Sequence, residues 1–570
     1  MMSFGIFGLL SLLVALLIVG GVIFGVFSLA RRLGRGPREA DGNGSIAPVS
    51  PEVRAAAAAE LAAPAPTGRL ARLVAWLDDA ANPIVVKELR QAVSSRFVTG
   101  ALFLMLLVQV AVVALFMMFD DGMSTSFRGG REIFMTLFMI LTGISMLFVP
   151  TYTAARMSAE RNDQNVDLLF VTTIRPRAIV LGKIVSAIVL AVLLYAACMP
   201  FMTFTYLLRG IDLPTIFLSL AASFLLVVGA IVAAVFLASI RGNMAWRGLL
   251  GLFQIGIAIM GISMTATVTL GLSSGLGGRI GEWEFWAGAG SVVLMGLLGM
   301  GFLIVLAVAL LSPPSSNRTM PVRIYISAML LVSGVVAAAW SWLTGDGDML
   351  LAWGIGGSVL MAVALLIAIS EGDHRSVRVA RTIPRPGPLR VLAFLYYSGS
   401  AGGITWVMLH WVLVVATAVG VMNWSEPKSV PYSVSQRDVA TFIGCIMYAY
   451  AYAVTGMLIT RGLLGGRVPA SFTWFVTILL IAVCNLLPPL VYALVSPGNW
   501  HRFDNAGWWL FMGPFCLGTD EYRQLGLIWS GLWSLLVTLA GLPWYGRQVR
   551  GFRRYEIAKP SAAPTSLVEA

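Results

Sequence analysis

The chain has 570 residues, of which 58% are hydrophobic and only 12% charged, against about a quarter charged in a soluble domain. That composition excludes a soluble globular domain. The net charge of +12 collects in the connecting loops, where it fits topology and anionic lipid, so no nucleic-acid partner is expected.

Apolar runs of about 20 residues recur along the whole length, each enough to cross a hydrocarbon core about 30 Å thick. Backbone amides in lipid must be paired within their own segment, so these runs are helices. The expected fold is all-α, a polytopic transmembrane bundle of about thirteen spans. They fall near residues 4–30, 99–119, 133–155, 184–208, 216–240, 248–272, 287–312, 324–344, 349–370, 391–421, 441–460, 471–494 and 525–544. Alternating sides puts 31 of the 39 Lys and Arg on one face, which sets the N-terminus outside and the C-terminus in the cytoplasm.

The first run (1–30) has no basic residue before it and "RRLGRGPR" after it. A cleaved signal has the reverse polarity and a shorter core, so a retained helix is expected. Residues 31–80, rich in Ala and Pro, read as a flexible cytoplasmic linker. Next comes "ANPIVVKELRQAVSSRF" (81–97), where Asn82 can cap and Pro83 suits the first turn of a helix. Val85, Leu89, Val93 and Phe97 recur on one face of this helix, and Lys87, Glu88, Leu89 and Arg90 form its centre. It is expected to lie in the cytoplasmic interface, the opening element of a six-span core over 81–312.

Between the third and fourth spans stands "ERNDQNVDLLFVTTIRPRAIVLGK" (160–183). "NDQN" stops one helix and Pro176 opens another that runs through Gly182 and Lys183 into the membrane. The product is a cytoplasmic hairpin with Leu168, Leu169 and Phe170 exposed among charges, the form of a partner-docking knob.

The second membrane region, 313–544, has no obvious sequence identity with the first. Its span 391–421 is overlong and contains "SGSAGG" (398–403), so an interfacial segment is expected before a span from about Ile404. Ser400 and His410 are separated by about 15 Å of helical rise, too far for a catalytic pair. The glycines suit a tight turn or close helix packing. "GNWHRFDNAGWWLFMGPFCLG" (498–518) reads as an interfacial or re-entrant segment anchored by Trp500, Trp508 and Trp509. A basic cytoplasmic tail, 545–570, closes the chain.

Inside the spans only His410 is ionisable, and an interhelical hydrogen bond is its expected role. An intramembrane charge is kept mainly where ions or charged substrates pass, so energy for transport is expected from outside the bilayer. Pro200, Pro488 and Pro489 read as kinks, although broken helices also form ion sites. The four cysteines lack paired spacing and read as small buried hydrophobes, with no metal site. Gly182-Lys183-Ile184 lacks the preceding glycine and following hydroxyl of a phosphate loop, so the chain binds no ATP that way. No catalytic residue and no cofactor are expected.

"NPIVVKELRQAVSSR", a span, then "AERNDQNVDLLFVTTIRPRAIVLGK" leading to "AACMPF" resembles permeases of the ABC-2 type over about residues 81–312. Glu160, Arg161, Asp167, Leu168, Leu169, Thr172, Thr173, Gly182 and Lys183 match the pattern. Ile174 stands where that pattern has proline. The resemblance implies an exporter subunit, not itself an enzyme, in the plasma (bacterial inner) membrane. It also implies that 156–183 couples to a separate ABC ATP-binding subunit and that six-span units pair, as in a homodimer; the second membrane region is then either a fused half that replaces the dimer partner, making a pseudo-dimer, or an accessory module. Its cavity is expected to be apolar, suited to a lipid, glycan-lipid or drug. The other readings are a non-transporting scaffold that recruits cytosolic partners, and an ion-coupled secondary transporter.

Overall fold

The computed structural model describes residues 83–119, 128–162, 176–208, 211–240, 242–274, 280–313, 315–345, 347–373, 375–424, 436–465, 467–495, 510–518 and 520–555. Among them there is no strand, and twelve helices are long and apolar enough to cross a membrane. The protein is an all-α, multi-pass membrane protein. The run 4–30, the linker and the tail beyond residue 555 lie outside the described residues. The chain divides into two compact units, Met1–Leu311 and Ser312–Ala570.

Unit 1 contains α1 (Pro83–Val93), α2 (Arg96–Phe119), α3 (Arg128–Asn162), α4 (Pro176–Leu207), α5 (Leu213–Ser239), α6 (Met244–Ser274) and α7 (Trp283–Leu311). Its centre is α3, which packs on α2, α4, α5 and α6. Lipid tails are as apolar as leucine, so hydrophobicity cannot sort a helix's faces there; close packing does. On α4 the buried face carries Ala187, Ala191, Leu194 and Cys198, while Leu181, Val185, Val189 and Val192 point outward. Asp212 caps α5 by accepting from the Thr215 amide (3.1 Å), and a proline follows in its first turn.

Sequence periodicity carries the first helix on to Phe97, but α1 ends at Val93. The Ser94 hydroxyl donates to the Gln91 carbonyl, and Ser95 starts the next helix by accepting from the Thr99 amide. Adjacent serines offer the backbone local partners that compete with a continuing helix. The apolar face is rotated as well. Val93 is 70% exposed, whereas Glu88 and Ala92 are buried.

Unit 2 contains α8 (Thr319–Thr344), α9 (Asp348–Ile369), α10 (Val377–Arg381), α11 (Gly387–Tyr396), α12 (Ser400–Trp424), α13 (Gln436–Leu458, extended by a π turn, Ile459–Leu463), α14 (Thr473–Val495) and α15 (Arg523–Gly551). Here α9 packs on α8, α12, α13 and α14, and α13 packs on α15. The overlong run 391–421 is two helices, α11 and α12, joined by an elbow at 397–399. Gly399 has φ +142°, a region open mainly to glycine. A Cβ on Gly402 would stand 1.9 Å from the Phe394 carbonyl oxygen, and one on Gly403 would stand 2.6 Å from an Arg323 guanidinium nitrogen. Glycine is what lets the two helices close on each other.

The tryptophans of the 498–518 segment lie outside the described residues, but 510–518 is placed. Leu510, Cys516 and Leu517 are buried. Tyr448 Oη donates to the Phe511 carbonyl (2.7 Å), and Tyr452 Oη donates to that of Met512.

Candidate functional site

Three helices of unit 1 bring one carboxylate and two cations together. Glu88 lies on the inner face of α1, Arg156 near the end of α3, and Lys183 two turns into α4. Lys183 Nζ donates to Glu88 Oε1 at 2.9 Å, and Arg156 Nε donates to Glu88 Oε2 at 3.2 Å. Glu88 is 5% exposed and Lys183 2%. Arg156 also donates to Gln91 Oε1, and its guanidinium carbon stands 5.9 Å from the Tyr152 ring centroid. The Phe97 and Phe148 rings each stack on that of Tyr152 beside it.

Burial of Lys183 is tolerable only because its ammonium keeps an ionic partner; a buried charge stripped of its partner is strongly destabilising. Tyr152, Thr153, Ser186 and Leu190 help line a cleft beside this Glu88–Arg156–Lys183 clasp with room for about one water.

The clasp grips both stems of the connection that runs from α3 to α4. Arg156 precedes that connection and Lys183 follows it, and Glu88 holds them both. Among the residues expected to couple to a partner, Gly182 and Lys183 are buried in α4. Glu160 and Arg161 belong to the last turn of α3, and their side chains lie outside the description. Asp167, Leu168, Leu169, Thr172 and Thr173 lie outside the described residues. On α1, Lys87 and Arg90 are exposed and Leu89 half-buried.

A second polar cluster sits in unit 2. Arg323 Nη2 donates to both Glu371 oxygens at 2.7 Å, and its Nη1 donates to the carbonyls of Leu395 (2.8 Å) and Tyr397 (2.7 Å). The Gly399 amide donates to Glu371 Oε2 (2.7 Å). Asp373 accepts from Ser400 Oγ (2.6 Å), from Arg461 and from Trp544 Nε1 (3.3 Å). Arg461 also donates to the carbonyls of Ile369 (3.1 Å) and Glu371 (3.0 Å), a cation meeting the carbonyl end of α9. Burial pushes the Glu371 carboxyl above its usual range, partly offset by the Arg323 charge and the Gly399 amide. This cluster fixes the elbow between α11 and α12.

Sequence reasoning left Lys183 and Arg323 outside the membrane because hydropathy ends each span one residue short of them. Both lie within the long helices α4 and α8, paired and buried. Among the described residues His410 makes no interhelical hydrogen bond: its Nδ1 meets the Trp406 carbonyl of its own helix at 2.7 Å. Arg156, Glu371, Asp373 and Arg461 drew no attention individually. Their signal was the acids themselves, Glu371 and Asp373, standing in an otherwise basic loop of a chain with few acidic residues.

The chain matches no family model, no curated protein and no solved structure.

Proposed function

We propose that the chain is the membrane subunit of an ATP-driven exporter of the ABC-2 type, powered by a separate ATP-binding subunit that docks on the cytoplasmic connection between α3 and α4. The observation that supports this reading is the Glu88–Arg156–Lys183 clasp. A force applied to the connection is carried by both of its stems, and a single carboxylate ties those stems to α1. Rigid helices then transmit the displacement into the bundle. In this reading α1 lies in the cytoplasmic interface, the protein resides in the plasma membrane, and unit 1 supplies the permease core. Unit 2 serves as a fused pseudo-partner, or the chain pairs as a homodimer.

The test is association with nucleotide hydrolysis. ATPase activity should co-purify with the detergent-solubilised chain and be lost when Leu168→Asp and Leu169→Asp are combined. Undiminished ATPase association in that variant removes the coupling role, and solute uptake by the purified chain alone, driven by an ion gradient, removes the exporter reading.

A further inference from the structure

The elbow end of unit 2 gathers positive charge from two distant parts of the chain. Arg378, Arg381, Arg385 and Arg390 are exposed on α10, α11 and the turn between them, and Arg547, Arg550, Arg553 and Arg554 are exposed at the end of α15 and just after it. Neither of the stretches 375–397 and 541–555 contains an acid. Glu371 and Asp373, which precede the first stretch, are held by Arg323 and Arg461. Glu556 and Lys559, which follow the second, lie outside the described residues.

The fold bolts the two stretches together. Phe552 is 2% exposed and packs with Val379, Ile383, Ala393 and Phe394 in one apolar cluster. The Tyr555 amide donates to the Ala380 carbonyl at 3.2 Å, and the Arg381 guanidinium carbon stands 5.8 Å from the Tyr555 ring centroid. Like charges brought together in this way repel one another and weaken the compact state unless an anion neutralises them. Helix ends account for only part of the charge. Arg547 and Arg550 suit the carbonyl end of α15, but Arg390 stands in the first turn of α11, where a helix disfavours a cation. Among the arginines the surface is apolar: Leu389, Val391 and Leu392 are 53%, 66% and 53% exposed. Because α12 begins at Ser400 and α15 ends at Gly551, the patch stands where membrane-spanning helices meet water.

We propose that this surface is a binding site for anionic phospholipid. Guanidinium groups pair with headgroup phosphate through parallel hydrogen bonds, and acyl chains cover Leu389, Val391 and Leu392 at the same level. A soluble acidic partner would answer the charge but would have to cover those apolar side chains as well; lipid meets both demands at once. Bound headgroups neutralise the crowded arginines and so hold the end of α15 against α10 and α11. The inference concerns unit 2 alone and does not depend on what drives the protein.

The full chain, reconstituted in phosphatidylcholine nanodiscs with and without phosphatidylglycerol, provides the test. Native mass spectrometry should find phosphatidylglycerol retained by the wild type, and its addition should raise the melting temperature. Combining Arg390→Gln, Arg553→Gln and Arg554→Gln should weaken retention by about fivefold for each arginine removed and abolish the thermal gain. Arg437→Gln is the control, at the start of α13 beside Asp520 (3.4 Å), the end of that helix remote from Arg461, and it should change neither. A second readout needs no variant: retention by the wild type should fall as salt rises. Retention that survives the triple substitution, falls equally with Arg437→Gln or ignores salt overturns the lipid site and leaves the arginines to an acidic protein partner.

Discussion

Glu88 is one acidic residue serving two basic ones from different helices, and the asymmetry determines what its loss does. Glu88→Gln takes the carboxylate away from the buried Lys183 ammonium, and breaking a buried pair from one side costs about 3–5 kcal/mol. Adding Lys183→Met removes the buried cation as well and should recover most of that loss. Chemical denaturation of wild type, both single variants and the double variant closes the cycle, and a double variant no more stable than Glu88→Gln alone counts against the clasp. The same residue explains why α1 turns a different face inward than its valines suggest. Apolar periodicity ranks Val93 above Glu88, but an ion pair with Lys183 supplies more than a methyl contact at a surface where lipid can cover the valine. Motif spacing cannot reveal that pairing, because the three partners are separated by 68 and 95 residues.

At the scale of elements, the elbow between α11 and α12 shows what a cluster of glycines is for. "SGSAGG" reads from sequence as a turn or a close approach, and the structure contains both: positive φ at Gly399 and backbone contact at Gly402. Gly402→Ala should push α11 off α12, because the added carbon meets a carbonyl of the backbone rather than a side chain that can swing away. Overpacking of this kind costs about 1–3 kcal/mol. Gly420→Ala on the same helix, where a Cβ meets nothing within 4 Å, should be neutral or stabilising. Equal thermal stability of the two variants would show that the elbow yields. Helix existence was legible throughout from apolar runs. The ends were not, because hydropathy falls to zero where a charged residue begins, whether that residue faces water or is buried in a pair.

For the whole molecule, the fold class follows from composition, since a chain this apolar with so few charges has to satisfy its backbone in helices. The polar organisation does not follow from composition. Sequence reasoning treats basic residues as solvated loop groups, and Lys87, Arg90 and Arg177 are exposed. Arg323 and Lys183 are buried instead, each paired with an acid from outside its own helix. The burial of Glu371, which outweighs the attraction of Arg323 in setting its protonation, is measurable as a pH dependence. Glu371 retains its proton in the folded chain to higher pH than it would unfolded, so its contribution is fully present below the ordinary carboxylate range and is lost as pH rises through the raised value. Melting of the solubilised chain should therefore show a stability decline over that window, and Glu371→Gln should flatten it. A slope unchanged by the substitution would assign the pH dependence to another group.

Synthesis order gives the clasp a last consequence. Glu88 leaves the ribosome well before either cation, and Lys183 comes last of the three. The first hydrophobic segments after α1 must therefore be handed to the membrane before the carboxylate has met either of those cations. The seat of α1 becomes permanent once the start of α4 arrives, which makes that helix the latch that closes the early half of the chain.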